Sequence, residues 1–281
     1  MDAIAGMACS YRFAPSLVLP YPAPVLFTQG PAMFDALPQH LELIVLTFLL
    51  AGLVKGVVGL GLPTVAVGLL GLVMPPMQAA AILVVPSTVT NIWQLAAGPR
   101  FLGLLKRMWG MLGGTVIGTL LVGWLLAGRN WPAATPLLGV ALILYALLGL
   151  SNKRFSVAPK HERWLSPLIG VITGGVTAVT GVFVIPAVPF LQALGLEKDD
   201  LVQALGLSFT VSTLALAITL SQHGSLLQAD VLGLSLLALL PALAGMYLGT
   251  WLRSRISPPA FRRCFFGGLL LLGADLAIRG L

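Results

Sequence analysis

Lys55 stands inside a long apolar run with no opposite charge near it. A lysine at membrane depth costs about 2.5–3.5 kcal/mol on insertion scales, so such a residue is read first as functional. A buried ammonium would draw an anion toward it. The competing reading is a shallow helix from which Lys55 snorkels to an interface. Directly after it comes the glycine-broken stretch Gly56-Val57-Val58-Gly59-Leu60-Gly61-Leu62-Pro63. Small hydroxyl and amide residues gather near that break and near a second one. From one half come Gly59, Gly61, Thr64, Ser87, Thr88 and Asn91; from the other, Thr177, Thr180, Gly181, Ser208, Ser212 and Thr213. Backbone N–H groups freed at a half-helix start, together with hydroxyl donors, suit an oxyanion. With Lys55, these residues form the candidate substrate-binding set. Taken singly, each hydroxyl more often bonds back to its own helix, and it is their paired placement near the breaks that raises the group.

Other chemistry finds no support. His40, His161 and His223 fall in tails or loops, and the chain has no HExxH, GxSxG, phosphate-binding loop or carboxylate pair. An enzyme is therefore not expected. Cys9 and Cys264 lie in unrelated contexts, so neither a disulfide nor a metal site is expected, and no cofactor is implied.

The elements that must position these residues are membrane spans. Of 281 residues, 58% are apolar and 9% charged, with a mean hydropathy of +0.98. Soluble domains carry about 25% charged residues. An all-α integral membrane protein follows, since the alternating strands of an outer-membrane barrel are missing. The net charge of +7 sits almost wholly in short loops, which fits orientation in a lipid bilayer and argues against a nucleic-acid partner. The apolar runs are Leu43–Met74, Gln78–Ala97, Leu104–Ala127, Pro136–Leu150, Trp164–Leu194, Leu201–Ser221, Val231–Leu252 and Cys264–Ile278. A single span needs about 20 residues. The first and fifth runs are too long for that and are read as two legs around a break, the alternative being one long kinked helix. The breaks fall near Gly56–Pro63 and near Thr177–Gly181 before Pro186. Trp93, Trp109, Trp124 and Trp131 read as interface anchors or packing.

The halves overlay at an offset of about 125 residues: Gln78-Ala79 and Ser87-Thr88 match Gln203-Ala204 and Ser212-Thr213. Gly114–Thr119 likewise matches Gly245–Thr250, and these GxxxG pairs read as close helix-packing faces. Basic loops at Arg100–Arg107, Ser151–Arg163 and Arg253–Arg263 are expected in the cytoplasm. That assignment inverts the second half relative to the first and places both chain ends outside. The expected organisation is a flexible tail or misassigned start over residues 1–42, a first transmembrane repeat over 43–150, a cytoplasmic linker over 151–163 and a second repeat over 164–281. Each repeat would hold a broken first segment and about three further helices.

The stretch Gly52-Leu53-Val54-Lys55-Gly56-Val57-Val58-Gly59-Leu60-Gly61-Leu62-Pro63 resembles the glycine-rich first motif of the sulfite exporter TauE/SafE family. The run from Gly170 to Pro186, with Thr177-Ala178-Val179-Thr180-Gly181 at its centre, resembles the second copy. Leu191–Leu196 and Ala204–Ser208 are also similar to that family, so the likeness runs from about Leu43 to the C-terminus. Two departures stand out. Many members carry consecutive glycines where this chain has Gly59-Leu60-Gly61-Leu62, and many have an acidic or neutral residue at the position of Lys55. The resemblance implies a multi-pass inner-membrane transporter whose small anionic substrate is sulfite or an organosulfonate. An anion channel of the same fold and a non-transporting membrane scaffold are the alternatives.

Overall fold

The computed structural model describes residues 41–96, 98–127, 131–151, 156–222 and 229–279. Most of the expected N-terminal tail lies outside these. The described residues fold as ten α-helices with no strand. They are α1 (Leu41–Val58), α2 (Leu62–Leu70), α3 (Pro76–Ala96), α4 (Phe101–Leu125), α5 (Ala134–Leu150), α6 (Pro159–Thr180), α7 (Ala187–Ala193), α8 (Lys198–Gln222), α9 (Ala229–Arg253) and α10 (Pro258–Arg279). Helices α1, α3, α4, α8 and α9 are long and apolar enough to cross a membrane.

Both long apolar runs are broken in two, as their glycines predict. The first becomes α1 and α2, separated by Gly59–Gly61, and the second becomes α6 and α7, separated by Gly181–Pro186. The cause is local. Gly61 has φ +108° and Gly181 has φ +72°, in the left-handed region where a side chain is strained. Pro63 and Pro186 then reopen a helix without needing a backbone donor. Helix α2 has nine residues, a rise of about 14 Å, which is under half of a hydrocarbon core. The second leg is therefore a partial crossing.

Glycine also decides which helices meet. A Cβ built on Gly52 would lie 2.1 Å from the Ala242 carbonyl oxygen, and one on Gly249 would lie 2.1 Å from that of Leu53. Backbone meets backbone, and α1 packs on α9 with no side chain between them. The same arrangement recurs between α6 and α4: a Cβ on Gly170 would sit 2.1 Å from the Met111 oxygen and one on Gly118 2.3 Å from the Val171 oxygen. The matched GxxxG pairs are thus packing faces, and each serves the first helix of the opposite half.

Register along these seams gives helix direction. Leu49 meets Gly245 and Leu53 meets Gly249, so α1 and α9 run the same way. Met111 meets Gly170 and Thr115 meets Gly174, so α4 and α6 do too. In contrast, Ser87 meets Thr213 while Leu95 meets Gly206, so α3 and α8 run in opposite directions. Helices α5 and α10 are also opposed, with Gly139 against Ala277 and Gly149 against Phe266.

The interior is held by aromatic and aliphatic packing and by a few bridging polar groups. Phe48, Phe183, Phe209, Leu62, Leu142 and Leu191 are fully buried, and Phe183 at the second break packs on Phe209 of α8 with ring centroids 5.3 Å apart. Pro86 has no N–H to give the Ile82 carbonyl. Ser235 of α9 donates to that oxygen at 2.8 Å and accepts from the Val85 N–H at 3.2 Å. The outer faces carry exposed Leu240, Leu271, Trp93, Trp109 and Trp124, as lipid-facing surfaces require.

Candidate functional site

Lys55 occupies the last turn of α1, where its charge complements the negative end of the helix. Its side chain does not reach an interface: the residue is 4% exposed. The ammonium donates to the Thr90 hydroxyl at 3.0 Å and to the Asn91 side-chain oxygen. Both partners are neutral. Thr90 passes its own hydrogen to the Pro86 carbonyl at 2.7 Å, which leaves its oxygen lone pairs facing Lys55. Asn91 is oriented by its amide, which donates to Ser87 Oγ at 3.0 Å and Thr213 Oγ1 at 3.3 Å. Ser87 and Thr213 are themselves 3.2 Å apart. One connected network thus runs from α1 through α3 into α8.

The α3 side of this network is a stripe. Ser87, Thr90, Asn91 and Gln94 recur at the spacing that puts residues on one helix face, and all four are buried. Gln94 donates to the Gly59 carbonyl at 3.0 Å and to the Val202 carbonyl at 3.1 Å, fixing the first break against α8. Gln203 of α8 reciprocates. Its amide donates to the carbonyls of Leu95 and Gly98, and its oxygen accepts the Arg100 N–H at 2.9 Å. Sequence reasoning left Thr90 and Gln94 out of the candidate set. The four-residue stripe is the signal that would have included them.

The remaining candidates are placed as follows. At the first break, Gly59 has φ +83° with open space where a Cβ would stand, and Thr64 donates to the Gly61 carbonyl at 2.8 Å. Thr88 bonds back to the Val84 carbonyl at 2.7 Å and turns away from the Lys55 network. In the second half, Thr177 donates to Thr173 O at 2.7 Å and Thr180 to Val176 O at 2.8 Å. Thr180 Oγ1 also accepts the Val182 N–H at 3.2 Å, and Gly181 abuts Ala80 of α3. Ser208 and Ser212 are buried, and their hydroxyls have no hydrogen-bond partner among the described residues. The N–H groups of Leu60 and Gly61 at one break, and of Phe183, Val184 and Ile185 at the other, likewise make no hydrogen bond among the described residues. The structure therefore brings Lys55, Ser87, Asn91 and Thr213 into one network, and Gly59 adjoins it by donating its N–H to the Lys55 carbonyl at 2.7 Å. Thr177, Thr180 and Gly181 form a separate group at the second break.

Lys55 has no carboxylate partner among the described residues. The chain has nine acidic residues, of which Asp2 and Asp35 lie outside the described residues. Asp200 pairs with Arg100 at 3.0 Å, Glu162 with Arg107 at 2.7 Å and Asp275 with Arg279 at 2.7 Å. Glu42, Glu197, Asp199 and Asp230 are exposed. No group of three or more His, Cys, Asp or Glu that could hold a metal occurs among the described residues. What remains among the described residues is a buried lysine amine, set by neutral acceptors beside a broken helix. Chemically, that arrangement can receive an anion.

The family model for the sulfite exporter TauE/SafE matches residues 44–276. The chain belongs to that family. Its members are membrane transporters of sulfur-containing anions, and the match spans every element from α1 almost to the end of α10. No curated protein and no solved structure matches the chain.

Proposed function

We propose that this protein carries sulfite or an organosulfonate across the inner membrane, by alternating access at the interface of two inverted halves. The observation that carries the reading is Lys55, a buried lysine whose side-chain partners among the described residues are neutral, at a helix break, in a network that links α1 through α3 to α8. Family membership supports the sulfur-anion class. Inversion is supported by the repeat mates α3 and α8, which run in opposite directions, as do α5 and α10. In transporters built this way, substrate binds between the repeats near paired broken segments. Lys55 supplies charge, the break amides that make no hydrogen bond among the described residues supply donors, and relative movement of the halves would expose the site to each side in turn.

Counterflow in proteoliposomes tests this. Purified protein should exchange labelled sulfite against internal unlabelled sulfite, with saturation, and a panel of taurine, sulfoacetate, thiosulfate and sulfate should rank the competitors. Linear flux without counterflow would mark a channel, and no flux at all would discard the transporter reading.

A further inference from the structure

We infer that the Lys55 site selects its anion by charge, taking singly charged oxyanions and rejecting doubly charged ones of the same shape. This rests on the transport reading above and adds the charge class of the substrate. The ground is the charge inventory around the ammonium. Lys55 lies in α1 and reaches α3, and α1 also packs against α2, α9 and α10. Helices α2 and α3 contain no ionisable residue. On α9, Asp230 and Arg253 sit in the first and last turns, and Tyr247 is exposed. On α10, Arg262 donates to the Gly149 carbonyl at 3.0 Å, Arg263 and Cys264 are exposed, and Asp275 is paired with Arg279. Nearest along the polar network, α8 offers Ser and Thr hydroxyls, and its one buried carboxylate, Asp200, is held by Arg100.

Among the described residues, a protonated Lys55 is thus the single positive charge of the site and has no acidic partner. In a medium of low dielectric, one negative charge brings it to neutrality. A second negative charge would remain buried without a partner, which is costly. The hydrogen-bond partners of Lys55 cannot make up a second positive charge, because Thr90 and Asn91 are neutral. Bisulfite and a sulfonate group meet the requirement; sulfate and fully ionised sulfite do not.

Methanesulfonate and sulfate separate charge from shape, since both are tetrahedral about sulfur and differ by a methyl group in place of a charged oxygen. Each is added as competitor to labelled-sulfite counterflow in proteoliposomes at clamped potential. Methanesulfonate should inhibit at a concentration at least about tenfold lower than sulfate. Equal or better inhibition by sulfate overturns the inference while leaving the transporter reading in place. Absence of all counterflow overturns both. Lys55→Met should bring the two inhibition constants within about twofold of each other, and retention of the wild-type ratio would remove Lys55 as the selector. Should Lys55→Met fail to fold, Asn91→Asp provides a second test. It places the one required negative charge beside Lys55 from within, so labelled-sulfite counterflow itself, and with it any flux for methanesulfonate to inhibit, should be lost from a stable protein. Undiminished counterflow in that variant also overturns the inference.

Discussion

The Ser87 hydroxyl of α3 lies 3.2 Å from the Thr213 hydroxyl of α8, and both accept from the Asn91 amide. The two residues sit one position apart in the repeat register, since Ser87 is the mate of Ser212 and Thr88 the mate of Thr213. Helices α3 and α8 are therefore joined through small polar groups.

Thr213→Val tests that coupling. It keeps shape and removes the hydroxyl, which leaves the Asn91 amide and Ser87 each short of a partner. A lost buried hydrogen bond of this kind costs about 1–3 kcal/mol. The expected outcome is a lower unfolding temperature in detergent and weaker sulfite binding, because Asn91 no longer holds its oxygen toward Lys55. Thr88→Val, by contrast, removes a bond to the variant's own helix and should change binding little. Equal losses in the two variants would detach the α3–α8 contact from the site.

The glycine seams predict a second contrast. Gly249→Val would drive a side chain into the Leu53 backbone, where even a Cβ stands 2.1 Å from the carbonyl oxygen. Overpacking costs about 1–3 kcal/mol, and more where the obstacle is backbone. Poor membrane yield or a large drop in thermal stability is expected. Gly233→Ala is the control: it lies in the same helix, α9, with nothing within 4 Å of the added carbon. It should be neutral or stabilising by up to about 1 kcal/mol. Similar behaviour of the two variants would show that α1 and α9 do not pack as described.

Topology is checked by accessibility. Inverted halves put Ser156, in the basic linker after α5, on the opposite side from the end of α10. In a background with Cys9 and Cys264 replaced by serine, single cysteines at Ser156 and after Leu281 should react oppositely with an impermeant thiol reagent in intact cells. The replacement of Cys264 is essential because its side chain is exposed. Labelling of both positions from one side would reject inversion and favour parallel repeats.

These contrasts also show which features the sequence declared. Gly61 and Gly181 announced the breaks because no other residue tolerates their φ values cheaply. Gly245 and Gly249 announced a packing face, although not that the partner would be α1 of the opposite half. Lys55 was conspicuous through its cost in an apolar run. Thr90 and Gln94 were not: Gln94 meets its acceptors, the Gly59 and Val202 carbonyls, only in the folded chain, and a threonine inside an apolar helix is commonly satisfied by its own backbone, as Thr90 is by Pro86 while still receiving Lys55. Only the tertiary meeting of α1 with α3 gives its second lone pair a role. Thr88 illustrates the converse, since adjacency to Ser87 in sequence points it to a different face of the same helix.

Energy coupling follows from the same accounting of charge. A carboxylate relay for protons would need an acid inside the membrane with a path to the site. Of the described carboxylates, Asp275 lies within a terminal helix, but it is partly exposed and pairs with Arg279 one turn away at 2.7 Å. No hydrogen bond or ion pair among the described residues connects it to Lys55. Asp275→Asn should therefore leave sulfite flux within about twofold of wild type, as expected for loss of a partly exposed ion pair. The membrane potential should instead set the direction. A monovalent anion gains about 2.3 kcal/mol per 100 mV on leaving an inside-negative compartment. In proteoliposomes, a potassium-diffusion potential of either sign should bias methanesulfonate flux accordingly. That ion keeps its charge across the working pH range, so a pH gradient at zero potential should do nothing to it. Uphill methanesulfonate movement driven by a pH gradient alone, and lost in Asp275→Asn, would establish proton coupling through that carboxylate and overturn the potential-driven mechanism.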